Sequence, residues 1–132
     1  MVCIYCGNQT KVANSRSRKR SNGVWRRREC LECQATVTSI EMVDLETAIT
    51  VMNGRVLTPF SRDTLFVSIY ESLKHRPSAV PDATQLTDTV IALLYPKVVD
   101  GSVRRTSIVS VAGSVLERFD EAAAVHYKAF HK

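Results

Sequence analysis

The chain has 132 residues, the size of one ordinary domain or two small ones. Its 45% hydrophobic and 23% charged residues are ordinary for a folded soluble protein, which excludes disorder throughout. No apolar run approaches the roughly 20 residues of a membrane span, and MVCIYCGNQT lacks the apolar core of a secretory signal, so the chain is expected in the cytoplasm. The net charge of +5 is unevenly placed. Residues 1–33 hold eight Lys and Arg against two acids, net +6; residues 34–132 hold ten against eleven, net −1. That asymmetry predicts two units, the first of them facing a polyanion.

All four cysteines lie in the basic unit, as C-x2-C, 23 intervening residues, and C-x2-C: Cys3, Cys6, Cys30 and Cys33. Disulfides are rare in a reducing compartment. Two C-x2-C turns instead suit one tetrahedral zinc ion held by four thiolates. A segment of about 40 residues has too small a core to fold alone. Structural zinc supplies on the order of 10–16 kcal/mol of apparent binding energy, enough to order it. Four protein ligands leave no open coordination position, so the predicted ion is structural, not catalytic.

Between the cysteine pairs runs NSRSRKRSNGVWRRREC. Asn22-Gly23 signals a hairpin joining two short strands. Arg16, Arg18, Lys19 and Arg20 precede it, and Arg26, Arg27 and Arg28 follow. Pairing the strands brings like charges together, which destabilises the free protein and which a polyanion relieves. Arginine forks to phosphates and to guanine edges, and a β-ribbon can enter a major groove. Trp25 reads as the unit's small apolar core, with base stacking the alternative.

Residues 35–43, ATVTSIEMV, predict a strand leaving the ribbon. AITVM, Asn53-Gly54 and RVL then predict a second hairpin, closed at Pro59-Phe60. Four helical patterns follow. Ser61 caps a helix with Leu65, Phe66, Ile69, Tyr70 and Leu73 on one face, ending at Arg76-Pro77. A second begins near Pro81-Asp82 and ends before Pro96. A third is capped by Thr106 or Ser107 and carries Ile108, Val111, Ala112, Val115, Leu116 and Phe119. Asp120 caps a fourth. The expected fold class is α+β: a small zinc ribbon over 1–43, then a domain over 46–132 built of a β-hairpin packed on about four helices.

No nucleophile elbow, Walker loop or H-E-x-x-H motif is present, and the carboxylates are scattered, so no enzyme is predicted. His75, His126 and His131 read as surface or dipole-facing residues rather than ligands. Lys74 and Arg76 close the first helix, where cations suit the dipole; the same charges also suit nucleotide phosphates.

The run C-x2-C-G, N-S-R, W-R-R-R-E-C-L-E-C and T-S-I-E resembles the NrdR transcriptional repressors of ribonucleotide reductase genes. The resemblance continues through Pro59-Phe60, Arg76-Pro77 and Asp120-Glu121-Ala122. It implies a zinc ribbon joined to an ATP-cone, with Cys3, Cys6, Cys30 and Cys33 on zinc. Arg16, Arg26, Arg27 and Arg28 match DNA-contacting positions, and Arg18 beside them joins the candidate set. It also implies an operator in double-stranded DNA upstream of ribonucleotide reductase genes, ATP or dATP as effector, and homo-oligomers. The nucleotide candidates are Val51, Arg55, Lys74 and Arg76. Val51 stands where the family has a phosphate-binding lysine; Thr58 and Thr64 replace a Glu and a Lys. The alternative is an RNA or single-strand binding protein without nucleotide sensing.

Overall fold

The computed structural model describes all 132 residues, which divide into two compact units, Met1–Val43 and Asp44–Lys132. The first is a three-stranded antiparallel sheet in sequence order: β1 (Thr10–Arg18), β2 (Gly23–Cys30) and β3 (Thr36–Met42). The segment expected to leave the ribbon thus pairs along β2 instead, from Gly23 opposite Met42 to Glu29 opposite Thr36. The register of β1 on β2 shifts between Val12 and Asn14, making Ala13 a bulge.

The first hairpin also differs from expectation. A 3-10 turn at Lys19–Ser21 and a left-handed Asn22 (φ 47°) carry the chain around, and Gly23 already belongs to β2. Glycine is required there because a Cβ would lie 2.8 Å from the Glu41 carbonyl oxygen on β3. A close strand, rather than turn geometry, therefore dictates this residue.

In the second unit Asp44 caps a single helical turn, α1 (Leu45–Ala48), by accepting from the Glu46 amide. The hairpin β4 (Thr50–Asn53) and β5 (Val56–Pro59) follows as expected, turning on Gly54 and Arg55. Four main helices come next: α2 (Arg62–Leu73), α3 (Ala79–Leu94), α4 (Arg105–Phe119) and α5 (Glu121–Phe130). The hairpin is not alone. A three-residue strand, β6 (Ser102–Arg104), pairs parallel to β4 with Val103 opposite Val51, giving the order β5-β4-β6. That strand explains a missed helix start. Neither Thr106 nor Ser107 caps α4, which begins at Arg105 directly from β6 and has no side-chain cap. Ser61 and Asp120 do cap α2 and α5, accepting from the Thr64 and Ala123 amides.

The core of this unit is formed where all four main helices meet. Ile69, Leu73, Val90, Leu116 and Tyr127 are fully buried, with Phe60 added from just after β5 and Val103 from β6. Ala112 on α4 and Ala123 and Ala124 on α5 are buried small residues that let the two helices pack closely. Arg76, just past α2, fastens the helix ends. Its Nε donates to Asp82 of α3 (3.0 Å), its other arm donates to Asp120 at the start of α5 (2.9 Å), and its guanidinium lies 4.8 Å from the Phe119 ring.

The Ala123 amide, then His75 and Arg76, hold the Asp120 carboxyl at about 2, below its ordinary 3.8. A depressed folded-state pKa makes this contribution complete above about pH 4 and removes it as pH falls toward the folded value. Asp120→Ala loses the cap and the ion pair together and is expected to destabilise the unit by about 1–3 kcal/mol at neutral pH. The penalty should shrink in acid, as read by urea unfolding followed through helical circular dichroism. An equal penalty at both pH values would show that the charge contributes nothing.

Candidate metal centre and nucleic-acid interface

The two C-x2-C segments fold into similar knuckles. In each, the first cysteine's amide donates to a carbonyl five residues on: Cys3 to Asn8 (2.7 Å) and Cys30 to Ala35 (2.9 Å). The residue after each second cysteine is left-handed, Gly7 at φ 75° and Gln34 at φ 61°. Glycine adopts this conformation freely, whereas an L side chain is strained by roughly 1–2 kcal/mol. Cys3 and Cys30 are buried, and Cys6 and Cys33 are exposed.

All four sulfurs lie within 4.8 Å of one another, with Cys3 and Cys33 separated by 3.6 Å and Cys6 and Cys30 by 3.4 Å. A disulfide needs about 2.05 Å, so no pair is bonded. A tetrahedron of thiolates at about 2.3 Å from zinc has edges of about 3.8 Å, close to these separations. The donor set fits zinc. The Tyr5 amide approaches Cys3 Sγ (3.4 Å) and Asn8 Nδ2 approaches Cys6 Sγ (3.5 Å), donors that steady thiolate charge. The Asn8 backbone and side-chain donors hold the Cys6 thiol low, at about 6. Apart from Cys3 and Cys30, no side chain of this unit is buried. The ribbon therefore has no apolar core, and the half-buried Trp25 does not form one.

β-Strand alternation divides the arginines. Residues paired across strands share a face. Arg16 opposite Trp25 opposite Ile40, Arg18 opposite Gly23, and Arg27 opposite Thr38 share one face. Arg26 and Arg28 fall on the other. There Arg26 donates to Ser15 (2.9 Å) and to Glu41 (3.2 Å), and Arg28 donates to Ser39 (3.0 Å). The five DNA candidates are thus close in sequence but not on one surface.

The four nucleotide candidates are not brought together either. Val51 lines a cavity of about 480 Å³ walled by Phe60, Leu65, Ile108, Val109 and Tyr127. Arg55 is at the hairpin turn, Lys74 pairs with Glu71, and Arg76 is engaged by Asp82 and Asp120; none of the three lines that cavity. Thr58 and Thr64 do line it, and its cation is Arg105. Burial, then Arg105 and His126, hold His131 below its ordinary 6.5, which disfavours a second cation there. Sequence reasoning passed over Arg105. The available signal was an arginine at the first position of a helix, where the dipole disfavours a cation unless an anion is also present.

Geometry and donor set define the first unit as a four-cysteine zinc ribbon. Residues 1–41 match the family profile described as Transcriptional repressor NrdR-like, N-terminal domain. The Transcriptional repressor NrdR of Streptococcus sanguinis is 29% identical over all of this chain and 84% of its own length. That of Heliobacterium modesticaldum is 29% identical over all of this chain and 87% of its own. The Symbiobacterium thermophilum protein of the same name is 32% identical over 68% of this chain, a match spanning 60% of that relative. The chain belongs to the NrdR family.

Removing the metal with a chelator should unfold the ribbon and leave the second unit intact, since only the latter has an apolar core. Amide spectra would lose the dispersed signals of β1–β3 and keep those of α2–α5. A ribbon still folded after complete metal removal would overturn the structural role.

Proposed function

We propose that the protein is a zinc-dependent, DNA-binding transcriptional repressor acting in the cytoplasm, without enzymatic activity. Its targets are operators upstream of ribonucleotide reductase genes. The observation that carries this reading is a metal-fitted ribbon of net charge +5 in a chain alignable end to end with repressors of the NrdR name. Four cysteines fix the sheet, and the sheet presents guanidinium groups to phosphates and base edges. One ribbon is small against the roughly 1,000–2,500 Å² of protein surface in specific DNA complexes, so homo-oligomers acting on repeated operators supply the remainder.

The metal-loaded protein is expected to bind ribonucleotide reductase promoter duplexes in preference to random duplex. Affinity should fall by orders of magnitude between about 50 and 200 mM salt if six or more phosphates are contacted. Gel-shift titration across a salt series reads both quantities. Equal affinity for promoter and random DNA would reject sequence-specific repression. Preference for single strands would favour the stacking alternative that Trp25 and Ile40, on one face, make physically reasonable.

For the effector, ATP or dATP is assigned to the cavity lined by Val51. Its volume lies within the range of about 300–1,000 Å³ usual for small-molecule sites. The apolar wall suits a base; Ser61, Thr58, Thr64 and Arg105 suit sugar and phosphate. With Val51 in place of a lysine, one arginine meets a polyphosphate, so binding is expected to be weak and to depend on Arg105. Calorimetry with ATP and dATP should give heat that Arg105→Ala abolishes and Arg76→Lys does not. Heat unaffected by Arg105→Ala would move the site elsewhere.

A further inference from the structure

The ribbon sheet has two faces of different character. On one, Arg26 and Arg28 are half-buried and already engaged by Ser15, Glu41 and Ser39 of the flanking strands. On the other, Arg16, Arg18 and Arg27 are exposed around Trp25 and Ile40. No ion pair engages Arg16, Arg18 or Arg27, and Arg27 makes a single long hydrogen bond, donating to Thr36 at 3.4 Å, while Arg27 and Thr36 both stay exposed. The acid on their face, Glu29, sits at the far end beside Lys11 (3.8 Å). Trp25 and Ile40 floor a shallow recess that Arg16, Arg18 and Thr38 border. Ile40 is 51% exposed, an apolar side chain left open on a surface with no carboxylate close by.

Resting on the DNA-binding reading above, we propose that only the Trp25 face meets the duplex, with Trp25 as a base-contacting residue and Arg26 and Arg28 serving as cross-strand braces. An unpaired guanidinium releases counterions when it reaches a phosphate. One already paired with Glu41 gives up a partner for each phosphate it gains and contributes less. The apolar floor matches the one apolar group on a base edge in the major groove, the thymine methyl. Three guanidiniums around it match phosphates on either side. The run Arg26-Arg27-Arg28, uniform in sequence, thus has a contacting residue between two bracing ones.

The full metal-loaded chain titrated into a labelled random-sequence duplex tests this. Trp25 is the single tryptophan of the chain, so its emission reports directly on the proposed face. Its emission should change to saturation with the same midpoint as the DNA anisotropy and reverse in salt. Arg16→Gln, Arg18→Gln and Arg27→Gln should each lower the slope of log affinity on log salt by about one. Arg26→Gln and Arg28→Gln should leave that slope unchanged while lowering the ribbon's thermal midpoint. Trp25→Leu should weaken binding at every salt concentration with an unchanged slope. Metal content establishes which variants are folded, and the wild-type emission decides the matter if Trp25→Leu is not.

Slopes flattened by Arg26→Gln and Arg28→Gln but not by the other three would overturn the face assignment and leave DNA binding standing. So would Trp25 emission unmoved at saturation. Failure of the metal-loaded wild type to bind any duplex at about 50 mM salt would instead overturn the DNA reading, and the face assignment with it.

Discussion

Four sulfur atoms within 4.8 Å of one another substitute for a hydrophobic core in the first 43 residues. Cys3 and Cys30 are the only buried residues of the unit, and its sheet carries most of the chain's excess positive charge. A small sheet of that charge, with no apolar core, has only backbone pairing and a few solvent-accessible cross-strand bridges to oppose its own repulsion. Metal–thiolate bonding supplies the missing stabilisation from one end, where both knuckles meet, and leaves the faces of the sheet free. A ribbon held together by buried leucines would have lost one face to its own core. Holding the fold at the knuckles is what lets charged residues occupy both sides.

The two-residue period of a strand then distributes that charge. Consecutive arginines cannot share a face, so Arg27 separates from Arg26 and Arg28, and joins Arg16 and Arg18 across the hairpin. Partners on the neighbouring strands decide what each does. Glu41, Ser39 and Ser15 all lie on the Arg26 and Arg28 side, whereas Ile40 and Thr38 face Trp25. Basic residues therefore serve both to hold three strands together and to present an uncompensated field.

The second unit draws the same distinction between a structural cation and an available one. Arg76 is held by two carboxylates and an aromatic ring, and unites the ends of three helices. Arg105 starts a helix launched from a strand, faces a cavity, and has no carboxylate partner among the ion pairs. Val51, Thr58 and Thr64, the positions that the sequence resemblance sets apart, all line that cavity.

The zinc site, the charge asymmetry, the second hairpin and the four main helices could all be read from the order of the residues. These rest on local signals: C-x2-C spacing, a count of charges, Asn-Gly between β-branched runs, and apolar residues recurring every three or four positions. Caps at Ser61 and Asp120 were readable for the same reason, since the bond each makes spans three residues. The remaining features come from contacts between segments far apart in the chain. β6 has three residues and no period of its own; it exists because Val103 pairs with Val51 half the domain away, and that pairing starts α4 without a cap. Gly23 answers to a strand 18 residues later rather than to its turn. Which arginine is paired and which is free depends on register across β1, β2 and β3, because an ion pair is set by distance in space, and a strand turns each successive side chain to the opposite face.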